Sequence, residues 1–433
     1  MDHFGQLKKI DDYQFSCGNY PIVFVLILHL SLLSSCSLFS LKSKNQIAAQ
    51  EHEKIELKDI SLLPSTGPYA VGLKKFYFKD SQRPDPYLAQ SLPRELMVNV
   101  YYPALLGKEE KEAGYLEGKM LAYYQEEVKK GGLDGRIFKT ISSGILNEPP
   151  LAIHSKLFPV ILFSPGGGVV PEFYLNIMRE LTSHGFVVVA INHTFNSLIS
   201  VFPDGTTKSM IPQGQMYMKT HQEAGDDIQD LLIRNYVNDL SQILKSLHVI
   251  QEYFHNRLDL SKMGMIGHSL GGKAVTYLCP HTPSCRAGVN MDGALLGGPG
   301  GLLQERNFMG MEKKPFLFMV GKGILWIPEK TDSQYKNQKV LDALGQLDQG
   351  SISLEEYYQI QSERYQGRIA KVAHLLGPQA SLVFFKGAEH MAFSDWRLLH
   401  SYLLRKEEHL QLRQLMKQFN TLLVDFFGHH LLQ

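Results

Sequence analysis

The chain has 433 residues, of which 44% are hydrophobic and 20% charged, and this composition predicts a large buried core rather than a disordered chain. Lys and Arg together number 44, and Asp and Glu 43, so the net charge is only +1. A protein with so little net positive charge attracts a polyanion only weakly, which argues against nucleic-acid binding. The length fits one large domain with insertions.

The N-terminus has the order of an export signal, predicted to span residues 1–35. Lys8 and Lys9 precede an apolar run, Pro21 to Leu33, which ends in small residues before Cys36. The segment Leu33-Ser34-Ser35-Cys36 resembles a bacterial lipobox. This resemblance implies cleavage before Cys36, lipid attachment to its thiol, and a membrane anchor in the bacterial envelope, on its periplasmic or surface face. The alternative is an uncleaved signal anchor. Both place the folded part outside the cytoplasm.

Residues 36–60 are predicted to form a tether, and residues 61–433 one folded domain. Lys42 to Lys58 is polar and has no apolar period. Beyond it, short apolar runs alternate with segments of helical period, which predicts an α/β fold with a mostly parallel central sheet flanked by helices. The predicted strands are Leu96 to Tyr102, Phe158 to Phe163, Phe186 to Ile191, Met263 to Ile266, Ala287 to Met291, Pro315 to Val320 and Leu382 to Phe385.

Helices are predicted over Asp227 to Tyr253 and over Pro171 to His184, the second stopping at Gly185. A third, amphipathic helix near the C-terminus is expected to pack on the domain through Leu412, Leu415, Phe419, Leu422 and Phe426. Two insertions, residues 105–155 and 323–379, interrupt the alternation. They are predicted to be helical insertions that form a cap over the active-site edge, the first with a helix over Gly114 to Lys130 and a Gly- and Pro-containing connector, and the second with two polar helices.

The motif Gly267-His268-Ser269-Leu270-Gly271 lies between a predicted strand and a predicted helix that begins near Gly272. A G-x-S-x-G sequence in this context is typical of the nucleophile elbow of α/β-hydrolases, in which glycines relieve the crowding of a strained turn. Ser269 is therefore the predicted nucleophile. The alternative is an incidental glycine-rich loop.

A serine hydroxyl needs a base within hydrogen-bond reach and an acid that orients the base. Asp292 follows the predicted strand after the elbow, and His390 follows the final predicted strand, which matches the chain order serine, acid, histidine. For Asp292 the alternative is a loop carboxylate in a turn, and for His390 a surface or core histidine. The competing histidines fit less well: His193, His268, His429 and His430.

The oxyanion of the transition state needs two backbone N–H donors. One is expected from Leu270, directly after the nucleophile, and the other from the run Ser164-Pro165-Gly166-Gly167-Gly168. A phosphate-binding loop is the alternative for this run, but no G-K-[ST] follows it.

The cysteines predict one bridge and no metal site. Cys17 would be lost with the signal and Cys36 acylated, which leaves Cys279 and Cys285 to form a local disulfide in an oxidising compartment. Two buried free thiols are the alternative. The spacing fits no metal site, and the sequence suggests no cofactor.

Several blocks resemble the plasma and intracellular type II platelet-activating factor acetylhydrolases. They are Gly67 to Gly72 (GPYAVG), Val98 to Pro103 (VNVYYP), Leu181 to Phe186 (LTSHGF) and Leu258 to Leu260, which runs into the elbow. The resemblance implies an α/β-hydrolase fold, places the catalytic residues at Ser269, Asp292 and His390, and assigns the oxyanion donors to Gly167 and Leu270. Two departures adjoin the acyl pocket or its cover. Pro165 stands where the family commonly has histidine, and the segment between Asp292 and His390 is longer.

Three functions are consistent with these observations. The favoured hypothesis is a metal-independent serine esterase that releases a short or oxidised sn-2 acyl group from a phospholipid. The second is a general carboxylesterase or lipase acting on small or polymeric esters. The third is a lipid-binding lipoprotein without catalysis, against which the intact serine, aspartate, histidine and glycine run argue.

Overall fold

The computed structural model describes residues 60–88, 90–107, 111–224, 227–293, 301–321, 351, 354–403 and 408–433. The predicted signal, the predicted lipidation site Cys36, almost all of the predicted tether and the first part of the 323–379 insertion lie outside these residues. The predictions made for them therefore remain predictions. The described core begins at Ile60, which is buried.

A ten-stranded, mostly parallel sheet forms the centre of the described domain. Its order is β12-β11-β10-β9-β5-β6-β2-β1-β4-β3, and a separate hairpin pairs β7 with β8. The block from β12 to β6 is parallel, while β2 pairs antiparallel with both β6 and β1. The strands are β1 Ala70–Pro84, β2 Pro93–Ala104, β3 Glu112–Gly114, β4 Ser142–Asn147, β5 Phe158–Ser164, β6 Val187–Asn192, β7 Ile199–Val201, β8 Thr207–Ser209, β9 Leu258–His268, β10 Cys285–Met291, β11 Phe316–Val320 and β12 Ala380–Phe384.

Helices cover both faces of this sheet. The α-helices are α1 Gly118–Lys130, α2 Ile137–Thr140, α3 Leu175–Ser183, α4 Gln215–Glu223, α5 Ile228–Tyr253, α6 Leu270–His281, α7 Leu354–Leu376, α8 Asp395–Leu403 and α9 His409–Leu431. Short 3₁₀ helices span Pro171–Tyr174, Glu305–Asn307 and His390–Phe393, and a π-helix spans Met210–Gly214.

The central strands are apolar because helices pack against both of their faces. Every residue of β5 and β6 is buried. On one face Met263 and Met265 of β9 belong to the core formed with α5 and α6. On the other face Gly264 lies against Phe427 of α9, where a Cβ atom would come within 2.6 Å of the ring. This alternation fixes β9, and hence the turn that follows it, between two layers of helices.

The first insertion contains the predicted helix but is not helical throughout. Besides α1 and the short α2, residues 105–155 contribute β3 and β4, which extend the sheet beyond β1. The predicted helix over Gly114 to Lys130 begins only at Gly118. The extended backbone arises because β4 finds an open strand edge at β1, with which it pairs in parallel.

The second insertion also differs where it is described. Its last part is the single helix α7, which packs on β11 and β12. Ile369, Val372 and Leu376 of this helix are buried in the core. Residues 354–376 therefore cover the sheet rather than forming a cap. The predicted cap helix before them falls outside the described residues.

The C-terminal helix packs on the domain as predicted, although its buried stripe is offset from the predicted one. The buried apolar residues are Leu412, Met416, Phe419, Leu423, Phe427 and Leu431. Leu415, Leu422 and Phe426 are only half-buried. In a long helix with a continuous 3.6-residue apolar period, either of two neighbouring apolar stripes could be buried. Contact with the sheet determines which of them is.

Candidate active site

Ser269 sits on a strained turn between β9 and α6. Its backbone has φ 53° and ψ −117°, a conformation that a residue with a side chain adopts only when its surroundings enforce it. Glycines make the turn possible, because a Cβ atom on Gly267 would collide with the backbone of Gly271, and one on Gly271 with the carbonyl of Ser164. The turn places the hydroxyl beyond the carboxyl end of the sheet.

The structure brings Ser269, Asp292 and His390 together. The Nε2 atom of His390 lies 2.9 Å from the Ser269 hydroxyl, and its Nδ1 atom lies 2.7 Å from a carboxylate oxygen of Asp292. The other carboxylate oxygen accepts the N–H of Gly321 at 2.8 Å. Because a carboxylate can only accept, Nδ1 carries a proton and Nε2 is left to accept the proton of the serine.

Asp292 and His390 lie where the parallel strands β10 and β12 have ended. Asp292 directly follows β10 and is 1% exposed, so water competes little for its carboxylate. Its backbone also has a positive φ, 51°, and its N–H donates to the Met319 carbonyl of β11. His390 begins a 3₁₀ turn after β12. The chain order predicted from sequence therefore corresponds to one spatial cluster.

The predicted oxyanion donors are also adjacent. Leu270 begins α6, so its N–H has no acceptor within the helix. A Cβ atom on Gly167 would lie 3.6 Å from the Leu270 side chain. Gly166 donates its N–H to the hydroxyl of Tyr174, and Gly168 to the carbonyl of Asn196. Among the described residues the amide of Gly167 donates to no protein acceptor, which leaves it available to a ligand.

A hydrogen-bonded chain links this loop to His390 through His268. The Tyr174 hydroxyl accepts from Gly166 at 3.0 Å and lies 2.8 Å from Nδ1 of His268. Nε2 of His268 lies 3.0 Å from the carbonyl oxygen of His390. Burial, aided by the neighbouring His390, lowers the pKa of His268 to about 3, so the ring is neutral.

The groups at the two ends of this series of hydrogen bonds determine where its protons lie. A carbonyl oxygen only accepts, so the proton of His268 is on Nε2, and Nδ1 must accept from the Tyr174 hydroxyl. That hydroxyl in turn accepts from Gly166. Tyr174 and His268 thus connect the backbone of the oxyanion loop to the backbone of His390. The sequence interpretation placed His268 in the elbow without this role, and no spacing along the chain relates it to Tyr174.

His193 anchors the start of the same loop. Its Nε2 atom is 2.9 Å from the Ser164 hydroxyl and its Nδ1 atom 2.9 Å from Asp239 of α5. This is a second serine, histidine and aspartate arrangement, but all three side chains are fully buried, so substrate cannot reach it. Burial lowers the pKa of His193, although Asp239 opposes the shift. The ring is therefore neutral and accepts from Ser164.

Asp239 is itself held by Arg94 of β2. Two guanidinium nitrogens of Arg94 bind the two carboxylate oxygens of Asp239, at 3.0 and 2.7 Å, and a third binds Asp85 at 3.2 Å. The guanidinium is fully buried. Although burial acts in the opposite direction, the charge of Arg94 holds the pKa of Asp239 far below its usual range. A network on β2, α5 and β6 thus fixes the position of Ser164.

Cys279 and Cys285 are joined in a disulfide, with their Cα atoms 5.4 Å apart. The bridge connects the last turn of α6 to the first residue of β10. It lies at the ends of these elements opposite to Ser269 and Asp292, and so belongs to the scaffold of the site. Cys36, the predicted lipid attachment site, is outside the described residues.

Comparison with known proteins supports the expectation raised by the sequence blocks. Residues 56–414 match the family model described as platelet-activating factor acetylhydrolase, isoform II. The chain belongs to this family. The predicted resemblance is thereby confirmed, and it covers the whole of the described site.

The individual relatives are distant. A probable 1-alkyl-2-acetylglycerophosphocholine esterase of Arthroderma benhamiae is 27% identical over 256 residues, which are 54% of this chain and 60% of that protein. The platelet-activating factor acetylhydrolase of Bos taurus is 26% identical over 154 residues, 31% of this chain and 35% of that protein. The matched segments thus span less than two thirds of these relatives.

A solved structure confirms the fold class. The ferulic acid esterase from Streptomyces cinnamoneus superposes with a TM-score of 0.59 at 18% identity, covering 86% of this chain and 93% of that one. The predicted α/β-hydrolase fold, with its mostly parallel sheet between helices, is therefore confirmed.

Proposed function

We propose that the protein is a serine esterase that hydrolyses the sn-2 acyl ester of a phospholipid. The proposal is based on the two consecutive hydrogen bonds that connect the Ser269 hydroxyl through His390 to Asp292. The family, and the names of its relatives, support a phospholipid with a short acyl group as the substrate.

The geometry supports a two-step acyl transfer. His390 Nε2 takes the hydroxyl proton as the Ser269 oxygen attacks the ester carbonyl, and the N–H groups of Gly167 and Leu270 stabilise the oxyanion. The histidine then gives the proton to the departing alcohol oxygen, leaving an acyl-enzyme. Water, deprotonated by the same ring, attacks this ester, and the serine is regenerated with release of the carboxylic acid.

Replacement of the nucleophile tests the chemistry. We expect Ser269→Ala to lower kcat on the order of a million-fold and to abolish labelling by a fluorophosphonate probe. Ser261→Ala, which changes an exposed serine on the same strand, is the matched control and should leave both unchanged. Full activity in Ser269→Ala, or a wild-type protein that does not react with the probe, would contradict a serine esterase and favour a lipid-binding protein.

A substrate comparison tests the specificity. Initial rates are measured side by side on a phospholipid with an sn-2 acetyl group, on the same phospholipid with a long acyl chain, and on p-nitrophenyl butyrate. The proposal expects the short-chain phospholipid to have the highest kcat/KM. Negligible hydrolysis of both phospholipids with rapid cleavage of p-nitrophenyl butyrate would instead identify a general carboxylesterase.

We also propose that the protein is exported and held at a membrane by lipid on Cys36. The basic, apolar and small residues before Cys36 support this assignment. Within the described residues, no helix combines the length and apolar character needed to cross a bilayer. Labelling of cells with an alkyne fatty acid should mark the wild type but not Cys36→Ala. Equal labelling of the two proteins would refute lipid attachment at Cys36.

A further inference from the structure

A cavity of about 430 Å³ lies between the sheet and the first insertion, and no residue of the predicted active site lines it. Asn99 and Tyr101 of β2 and Asn192 of β6 contribute to its wall, while the segment Ala113–Met120 covers it. Its surface is mostly apolar, and its volume is within the usual range of pockets that hold one small organic ligand.

The cavity contains a buried carboxylate that is only half satisfied. Glu172 is 9% exposed, and one of its carboxylate oxygens accepts from the side-chain amide of Asn99 at 2.9 Å. The other carboxylate oxygen is buried and has no hydrogen-bond partner within the described residues. Burying a charged group in this state is costly unless a cation or a donor binds it.

The lysines that line the cavity do not serve as this cation. Lys75 binds Glu117 at 3.1 Å, and both side chains are exposed, while Lys119 donates to the carbonyl of Gly205. The described residues form no ion pair with Glu172. The negative charge in the cavity is therefore not neutralised by the protein itself.

Aromatic side chains line much of the same space. They are Tyr77, Tyr101, Tyr115 and Phe202. The hydroxyl of Tyr115 is buried and, like the second oxygen of Glu172, has no partner among the described residues. Burial and then the charge of Glu172 raise the pKa of Tyr101, so this phenol is neutral and close to the carboxylate. Aromatic rings attract organic cations through their negative faces.

We propose that this cavity binds an organic ammonium ion, with Glu172 as its counter-charge. A metal cation is less suited to these walls because it needs several oxygen ligands or retained water. An alkylated ammonium group instead places its carbon atoms against the rings and its charge beside the carboxylate. The head group of a choline lipid and a free amine share this chemistry.

Calorimetric titration of the full chain with choline tests the proposal. The matched ligand is 3,3-dimethylbutan-1-ol, which has the shape of choline without its charge. We expect choline to bind at least about ten-fold more tightly than this alcohol, and Glu172→Gln to weaken choline binding by a similar factor. Glu127→Gln, which changes a carboxylate paired with Lys130 on α1 that does not line the cavity, should bind choline like the wild type.

Three results would overturn the proposal: no choline binding, equal binding of choline and the alcohol, or unchanged choline affinity in Glu172→Gln. The comparison of the two ligands uses the wild type, so it remains decisive even if Glu172→Gln fails to fold. The fluorophosphonate reaction tests the proposed esterase activity separately. Choline binding by Ser269→Ala would show that the cavity binds its ligand without the proposed nucleophile.

Inhibition kinetics identify the source of the ammonium group. If choline competes with a choline phospholipid but not with p-nitrophenyl butyrate, the cavity receives the head group of the substrate. If choline binds without inhibiting either reaction, the ligand is a separate amine. Both results support an ammonium site, and inhibition by the uncharged alcohol equal to that by choline argues against it.

Discussion

At the scale of single residues, Tyr174 connects the two halves of the proposed catalytic site. Its hydroxyl accepts from Gly166 of the oxyanion loop and donates to His268, whose other nitrogen donates to the carbonyl of His390. Neither Tyr174 nor His268 is expected to touch the reacting atoms. Both are positioning residues, because they orient the groups that do.

Tyr174→Phe should therefore impair turnover more than binding. The change leaves the Gly166 N–H without an acceptor and His268 without a donor, so we expect kcat to fall by about ten-fold to a hundred-fold with KM almost unchanged. Steady-state kinetics check this, with Tyr253→Phe, which changes a tyrosine 41% exposed on α5, as the control. A purely structural role for Tyr174 would instead lower the fraction of active enzyme, measured by fluorophosphonate titration, without changing kcat per active site.

Lys273 is a buried lysine in the nucleophile helix α6. Its Nζ atom donates to the side-chain oxygen of Gln229 at 2.8 Å, and burial lowers its pKa to about 8. In the unfolded chain the pKa is near the ordinary value of 10.5. Between these two values the unfolded state binds more protons, so this group makes the folded protein more stable as pH rises from about 8 to 10.5.

Lys273→Met should remove this pH dependence. We expect the variant to unfold at higher urea concentration than the wild type near pH 7, where the wild type must bury a charge, and the difference to shrink by on the order of 3 kcal/mol as pH rises to 10.5. Urea denaturation at several pH values measures it. A difference that stays constant across this range would show that Lys273 does not titrate differently in the folded state.

At the scale of elements, the sequence predicts the parallel strands well and the sheet edge poorly. The central strands are short, continuous apolar runs, because both of their faces are covered. β1 has no such run: Lys74, Lys75 and Lys79 interrupt its apolar residues, and the strand is recognised only by its pairing with β2. β3 and β4 are short and belong to an insertion, so their pairing depends on contacts distant in sequence.

The same reasoning explains what could be predicted about the site. Ser269, Asp292 and His390 each follow a predicted strand. The G-x-S-x-G motif and the order of serine, acid and histidine along the chain therefore place them at the same edge of the sheet. The contacts of His193 with Asp239 and of Tyr174 with His268 join elements that no motif relates. They exist because buried polar groups need partners, and only the folded chain shows which partners are available.

The disulfide connects two of these elements, α6 and β10, at the end away from the active site. Replacing Cys279 and Cys285 by alanine should lower the free energy of unfolding by about 2 kcal/mol, because the bridge closes only a short loop. Activity should be retained, since the length of α6 places Cys279 about 15 Å from Ser269. Urea denaturation and kcat measurements check both statements, and loss of activity in the folded variant would contradict the second.

At the scale of the whole molecule, Arg94 joins the antiparallel part of the sheet to the catalytic part. It lies on β2, binds Asp239 of α5, and through it supports His193 and the loop after β5. The ion pair is fully buried. Removing Arg94 leaves the buried Asp85 without its ion pair and Asp239 with Arg83 as its cation, and an unpaired charge in the interior costs far more than losing an exposed pair.

Arg94→Met is therefore expected to lower the free energy of unfolding by about 3–5 kcal/mol. Arg136→Met, which breaks the exposed pair with Asp134, is the control and should leave the stability unchanged within error. Chemical denaturation measures both. The interpretation also predicts lower activity in any folded Arg94→Met protein, because Ser164 would lose its anchor. Equal stability of the two variants would show that the network is dispensable.

The positive φ angle of Ser269 has a consequence for variants selected by heat resistance. Glycine would adopt this backbone conformation with less strain, so Ser269→Gly should melt later than the wild type while it loses the reaction. A screen for heat resistance alone would thus favour an inactive protein at this position. Only a screen that also demands turnover would retain the strained serine.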